Sequence, residues 1–253
     1  GCEMNFRPIF RNRFKDDMKG VALFMALLLL CNAFIVSLLL VVSAQVQGQA
    51  FSNFSVAMSC FTLAIGAATV REDLRLGIQN GVSRGTSLTA CFAANIAAAM
   101  VAALGVTLVE WACIYLRGTV RIGFYSIFAL VYGEDASVPG QLRSLLLNFL
   151  WCGSMVFVGS FLSLIYWRLS KFWRWVVSLG MGAAALLLLN AAIILLLNAS
   201  KASAGFLGWL LSFIRWLGEA PLNLVVFLAG ISIAFAFFDW LLTRRAPITG
   251  ATA

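Results

Sequence analysis

Six apolar runs without a single Asp, Glu, Lys or Arg divide this chain, at 20–43, 51–70, 86–109, 144–167, 175–200 and 220–238. Each is 19 to 26 residues long. A helix rising about 1.5 Å per residue needs roughly 20 apolar residues to cross a hydrocarbon core about 30 Å thick. Only a helix satisfies every backbone N–H and C=O within one such segment. The runs therefore predict an all-α polytopic membrane protein with six transmembrane helices, forming a single transmembrane domain over residues 1–253.

Basic residues set the orientation, because Lys and Arg are retained on the cytoplasmic side of a membrane. With the N-terminus inside, the inner segments hold Arg7, Arg11, Arg13, Lys15, Lys19, Arg71, Arg75, Arg84, Arg168, Lys171, Arg174, Arg244 and Arg245. The outer segments hold only Arg117, Arg121, Arg143, Lys201 and Arg215. Thirteen against five, with an even number of spans, predicts that both termini are cytoplasmic. The net charge of +8 then reports topology and not nucleic-acid binding. The first run has 24 residues and follows nineteen polar and aromatic ones, so it reads as a retained span and not a cleaved leader. Cys2 is not read as a lipidation site.

Composition removes several chemistries. Histidine is absent, and with it the usual haem and zinc ligand and the commonest general base. The six cysteines have no C-x-x-C spacing, and four of them (Cys31, Cys60, Cys91 and Cys152) fall inside apolar runs, where a thiol packs as a small hydrophobe. No phosphate-binding G-x-x-x-x-G-K-[ST] loop occurs, so any ATP must be hydrolysed by another subunit. Neither a catalytic residue nor a metal site is predicted.

The segments between the runs carry more information. Over 5–19, Phe6, Ile9, Phe10, Phe14 and Met18 recur at helical spacing, with Arg7, Arg11, Lys15, Asp16 and Lys19 on the remaining surface. That pattern predicts an interfacial amphipathic helix, with its aromatic face among the lipid headgroups and its cations on anionic lipid. After the second run, charges gather at Arg71, Glu72, Asp73 and Arg75, while Leu74 and Ile78 form an i, i+4 apolar stripe. This predicts a short cytoplasmic helix over 71–79, closed by Asn80-Gly81. Arg168, Lys171 and Arg174 lie among Trp167, Trp173 and Trp175, as in an aromatic belt at a membrane surface. Residues 205–217 are too apolar for a solvated loop and too few to cross, which predicts a re-entrant outer segment between spans five and six. The long outer segment 117–143 has a weaker apolar patch at 122–132.

Polar side chains inside the runs are few. Asn32, Asn95, Asn148 and Asn190 either hydrogen-bond between helices or line a wet path, and Asn32, Asn95 and Asn190 are the candidates for a translocation path. Ala90, Ala94, Ala98 and Ala102 make a small-residue stripe suited to close helix packing. Glu110 is expected near the outer headgroups, and Asp239 is expected to pair with Arg244 or Arg245 at the inner end of the sixth span.

This arrangement resembles the permease subunit of type-2 bacterial ATP-binding-cassette transporters. The segment Leu76-Gly-Ile-Gln-Asn-Gly-Val-Ser-Arg-Gly-Thr-Ser-Leu88 is similar to the "nGvSR" stretch after the second span of small permeases of this class, and Leu241-Leu-Thr-Arg-Arg-Ala-Pro247 is similar to their cationic tail. The resemblance covers essentially the whole chain. It implies a non-enzymatic export subunit of the bacterial cell membrane, moving a peptide, lipid-like or drug-like substrate. Its implied partners are membrane lipids, a second permease copy or paralogue, and cytoplasmic ATPase subunits that hold ATP and Mg, no cofactor being bound by this chain. Carried over by position, Arg71, Glu72, Asp73, Leu74, Arg75 and Ile78 would couple to the ATPase. Phe6, Arg7, Phe10, Arg11 and Phe14 would form the interfacial helix. The two-arginine outer segment after span three departs from the pattern. The alternative reading is a substrate-binding membrane subunit for vitamin or metal uptake, which would need a ligand pocket within one monomer and no dedicated coupling helix. A membrane-embedded enzyme or a channel is disfavoured by the missing histidines and the absence of clustered carboxylates or acidic rings.

Overall fold

Long apolar runs whose one proline, Pro221, stands at the first position of its helix leave the backbone no economical option except the helix, and every regular element of the described residues is helical. The computed structural model describes residues 3–42, 54–116, 127–133, 137–170, 172–177 and 206–244. The helices are α1 (Glu3–Val42), α2 (Phe54–Gln79), α3 (Arg84–Leu116), the short α4 (Ile127–Tyr132), α5 (Val138–Arg168), α6 (Phe206–Glu219) and α7 (Pro221–Arg244). Residues 172–177 are also helical. Five helices, α1, α2, α3, α5 and α7, are long and apolar enough to cross a membrane. They carry the first, second, third, fourth and sixth predicted spans, while the fifth, 175–200, falls outside the described residues beyond Val177.

Two segments expected as separate units differ in the structure. The predicted interfacial helix 5–19 and the first span are one helix of 40 residues, because no residue between Lys19 and Val21 interrupts the backbone hydrogen-bond ladder. At about 1.5 Å per residue α1 is about 60 Å long, twice the thickness of a hydrocarbon core. The predicted cytoplasmic helix 71–79 is likewise the last part of α2 and not a separate element. Within the expected re-entrant segment 205–217, residues 206–217 form most of the short helix α6, which Ala220 alone separates from α7. The end of α2 follows the sequence expectation. Gly81 takes φ +71°, Val82 N donates to the Gly77 carbonyl at 2.9 Å, and the chain turns into α3 within residues 80–83.

The centre of the bundle is built by α2, α3 and α5, with α1 packed on α3 and α7 packed on α5. Two glycines permit the closest approach. A Cβ on Gly66 would lie 2.1 Å from the Val156 carbonyl oxygen, and a Cβ on Gly159 would lie 2.1 Å from the Leu63 carbonyl oxygen. The two backbones therefore touch reciprocally, as small residues allow at helix crossings in a membrane. Ser160 Oγ adds a bond to the Gly66 carbonyl at 3.4 Å. On the other side of the core, Phe24 of α1 stacks on Phe61 of α2 at 4.2 Å. Phe161 of α5 meets Phe235 of α7 edge-on at 4.9 Å.

Burial is distributed as lipid demands. The predicted stripe Ala90, Ala94, Ala98 and Ala102 is wholly inside, together with Ser55, Ser59, Thr62, Ser87, Asn95, Asn148, Ser154 and Ser160. Leu23, Leu30, Phe34, Leu222, Ile233 and Phe237 face outward. Contiguous exposed apolar surface on this scale suits a hydrocarbon solvent and not water. Substituting Gly66 or Gly159 by alanine is expected to force α2 and α5 apart and cost about 1–3 kcal/mol or more. Gly153→Ala, where an added Cβ meets nothing within 4 Å, is expected to be neutral. Thermal unfolding in detergent checks both.

Candidate functional site

The charged half of α1 and the charged end of α2 lie side by side at one end of the bundle, and a single arginine joins them. Arg13 Nη2 lies 2.8 Å from Asp17 Oδ1, one turn along α1. Arg13 Nε lies 3.2 Å from Asp73 Oδ2 on α2. The three side chains are 11%, 4% and 14% exposed, so the network is largely withdrawn from solvent. Ser87 Oγ of α3 donates to the Asp73 carbonyl at 3.2 Å, which ties the start of α3 into the same junction. Gly77 makes room for that serine, since a Cβ there would lie 2.5 Å from Ser87 Oγ.

This geometry sorts the predicted coupling residues. Asp73 turns inward onto Arg13, and Leu74 is buried in an apolar cluster with Val70, Leu88, Cys91 and Leu164. Neither presents its side chain to a docking protein. Glu72, Arg75 and Leu76 are exposed, and they form the outward face of the α2 extension. The side chains of Arg71 and Ile78 lie outside the described residues. On α1, Arg7 and Arg11 are exposed, Phe10 stacks on Phe14 at 5.8 Å, and the side chain of Phe6 lies outside the described residues.

A second polar network pins the same three core helices toward their opposite end. Ser55 Oγ of α2 donates to Glu110 Oε1 of α3 at 2.7 Å. Asn148 Nδ2 of α5 reaches Glu110 Oε2 and Thr107 Oγ1, each at 3.2 Å. Glu110 thus receives a donor from each flanking helix, the arrangement a carboxylate among apolar helices requires. Near this end Tyr132 Oη of α4 donates to the Leu217 carbonyl of α6 at 2.6 Å, and partial burial raises the phenol above its ordinary pKa. Asn223 Nδ2 of α7 donates to the Trp216 carbonyl at 2.7 Å.

The asparagines expected along a path take different positions. Asn32 Nδ2 donates to the Leu28 carbonyl of its own helix at 2.8 Å. Asn95 is fully buried, with its Nδ2 3.8 Å from Cys91 Sγ, so in this conformation it faces packed protein. Asn190 lies outside the described residues. The expected ion pair of Asp239 with Arg244 does not form, and Arg245 lies outside the described residues. The Asp239 carboxylate is fully buried with no hydrogen-bond partner for either oxygen among the described residues, and Arg244 stacks over the Trp240 ring at 5.7 Å. Helical phase explains the correction: Asp239 and Thr243, one turn apart, face the bundle, whereas Trp240 and Arg244 face outward. The i, i+4 spacing of Arg13 and Asp17 was visible in the sequence, but the closure of that pair onto Asp73, sixty residues away, was not.

Comparison with protein-family models, with curated proteins and with solved structures found no match. The functional reading therefore rests on this chain's own residues and geometry.

Arg13→Met leaves two buried carboxylates without their cation and is expected to cost roughly 3–5 kcal/mol. Adding Asp17→Asn and Asp73→Asn to the same chain is expected to recover most of that loss, read as unfolding stability in mild detergent. Asn148→Leu removes a donor shared by Thr107 and Glu110 and is expected to cost about 1–3 kcal/mol in the same assay.

Proposed function

We propose that this chain is the membrane permease subunit of an ATP-driven exporter of the bacterial cell membrane, with both termini in the cytoplasm. Cytoplasmic ATP-binding-cassette subunits would supply ATP and Mg, and a second permease copy or paralogue would complete the path. The observation that carries this reading is the continuity of α2 from the apolar core to an exposed charged face, braced by Arg13 against Asp73. A displacement applied at Glu72 acts on the helix that carries Gly66, about 9 Å away along its axis. There α2 and α5 are in backbone contact, so the displacement passes to α5 without an intervening side chain to absorb it. The interface with the ATPase is accordingly assigned to Glu72, Arg75 and Leu76, with Asp73 and Leu74 acting from inside. The cargo would be a peptide, lipid-like or drug-like substrate, as the resemblance implies.

The test is co-isolation. The intact chain, purified gently from its native membrane, is expected to carry an ATPase identifiable by mass spectrometry from its own phosphate-binding loop. The pair Glu72→Arg with Arg75→Glu is expected to reduce that recovery at least tenfold while leaving detergent stability unchanged. ATP hydrolysis by the chain purified alone sinks the reading. Tight binding of a vitamin or metal ion by the chain alone would favour the uptake subunit instead.

A further inference from the structure

The end of the bundle that holds Arg13 also contains a cavity of about 240 Å³ between the first turns of α3 and the last turns of α7. Arg84, Gly85 and Leu88 line it from α3, and Trp240, Thr243 and Arg244 line it from α7. No carboxylate is among these six residues. Arg244 lies over the Trp240 ring, which holds its guanidinium at the cavity wall. A third guanidinium, Arg168 of α5, is close by, its Nη2 donating to the Leu242 carbonyl near the end of α7. Leu88 closes the floor and belongs to the buried apolar cluster of Val70, Leu74, Cys91 and Leu164.

The cavity thus combines a cationic rim, an aromatic wall and an apolar floor at the terminal turn of a membrane-length helix. Arginine binds phosphate through a planar fork of donors. Basic clefts between membrane helices at headgroup depth suit anionic lipid. A phosphate bridging Arg84 and Arg244 would also link α3 to α7, two helices that otherwise touch each other little.

We propose that this cleft is a phosphate-binding site, filled by the phosphodiester of an anionic phospholipid headgroup or by free phosphate. The site is independent of the transport reading, and its test needs no ATPase. The intact purified chain is stripped of lipid in a neutral detergent and then offered phosphatidylglycerol, phosphatidylcholine or inorganic phosphate. Binding is followed by native mass spectrometry and by the shift in melting temperature that any ligand of the folded state produces.

Phosphatidylglycerol is expected to be retained at least tenfold more than phosphatidylcholine. That preference is expected to vanish in Arg84→Gln with Arg244→Gln and to persist in Arg215→Gln, on α6 at the other end of the bundle. Gly85→Phe provides a second variant that keeps both arginines. An added Cβ at Gly85 meets nothing within 4 Å, so the ring can occupy the cavity without a backbone clash, and it is expected to abolish the preference as well. If millimolar inorganic phosphate raises the melting temperature and displaces the lipid, free phosphate is the occupant; a response to the lipid alone identifies the headgroup. Equal retention of the two lipids with no response to phosphate, or an undiminished preference in Gly85→Phe, overturns the proposal.

Discussion

The backbone contact of α2 with α5 is the constraint on which the rest of the bundle depends. Gly66 and Gly159 each occupy a position where a single added carbon would stand 2.1 Å from a carbonyl oxygen of the opposite helix. In a hydrocarbon solvent burial of apolar area does not drive helices together, so close van der Waals approach and hydrogen bonds must do so. The glycines supply the approach, and the Ser160 hydroxyl supplies a bond across it. Once α2 and α5 are fixed, α3 completes a three-helix core through its alanine stripe, and α1 and α7 become outer layers that present their large side chains outward.

Polarity is then confined to places where it can be paired. Near one end, Glu110 gathers donors from Ser55 and Asn148. Near the other, Arg13 lies between Asp17 and Asp73. The two networks differ in kind. The first is a carboxylate satisfied by neutral donors, and it behaves as a fastener between core helices. The second joins full charges across two helices that continue beyond the apolar core, and it ties their ends together. That difference is why the proposed contact with a motor protein belongs to the Arg13 end.

Much of this was legible in the sequence. Five of the predicted spans fall on membrane-length helices, and the Ala90 to Ala102 stripe is buried as its spacing implied. The left-handed glycine after Asn80 closes α2 as turn chemistry requires. Other features were not legible, for identifiable reasons. Nothing local distinguishes a charged helix that lies apart from one that continues a span, so the ends of α1 and α2 were expected as separate pieces. Asp73 carried no sign that its partner lay in the N-terminal helix, because that pairing depends on where α1 leans. Asp239 seemed near enough to Arg244 in sequence for a pair, yet positions five apart on a helix point in different directions.

By itself the sequence determined that the described residues are helical, which of their helices are long and apolar enough to cross a membrane, and where the few charges collect. These follow from local quantities, the run length of apolar residues and the backbone's need for internal hydrogen bonds. Only the tertiary structure decided which glycines touch, which aspartate Arg13 holds, and that Arg84 and Arg244 face one cavity. Those outcomes depend on helix rotation and crossing point, which side chains far apart in the chain determine jointly and no single segment encodes.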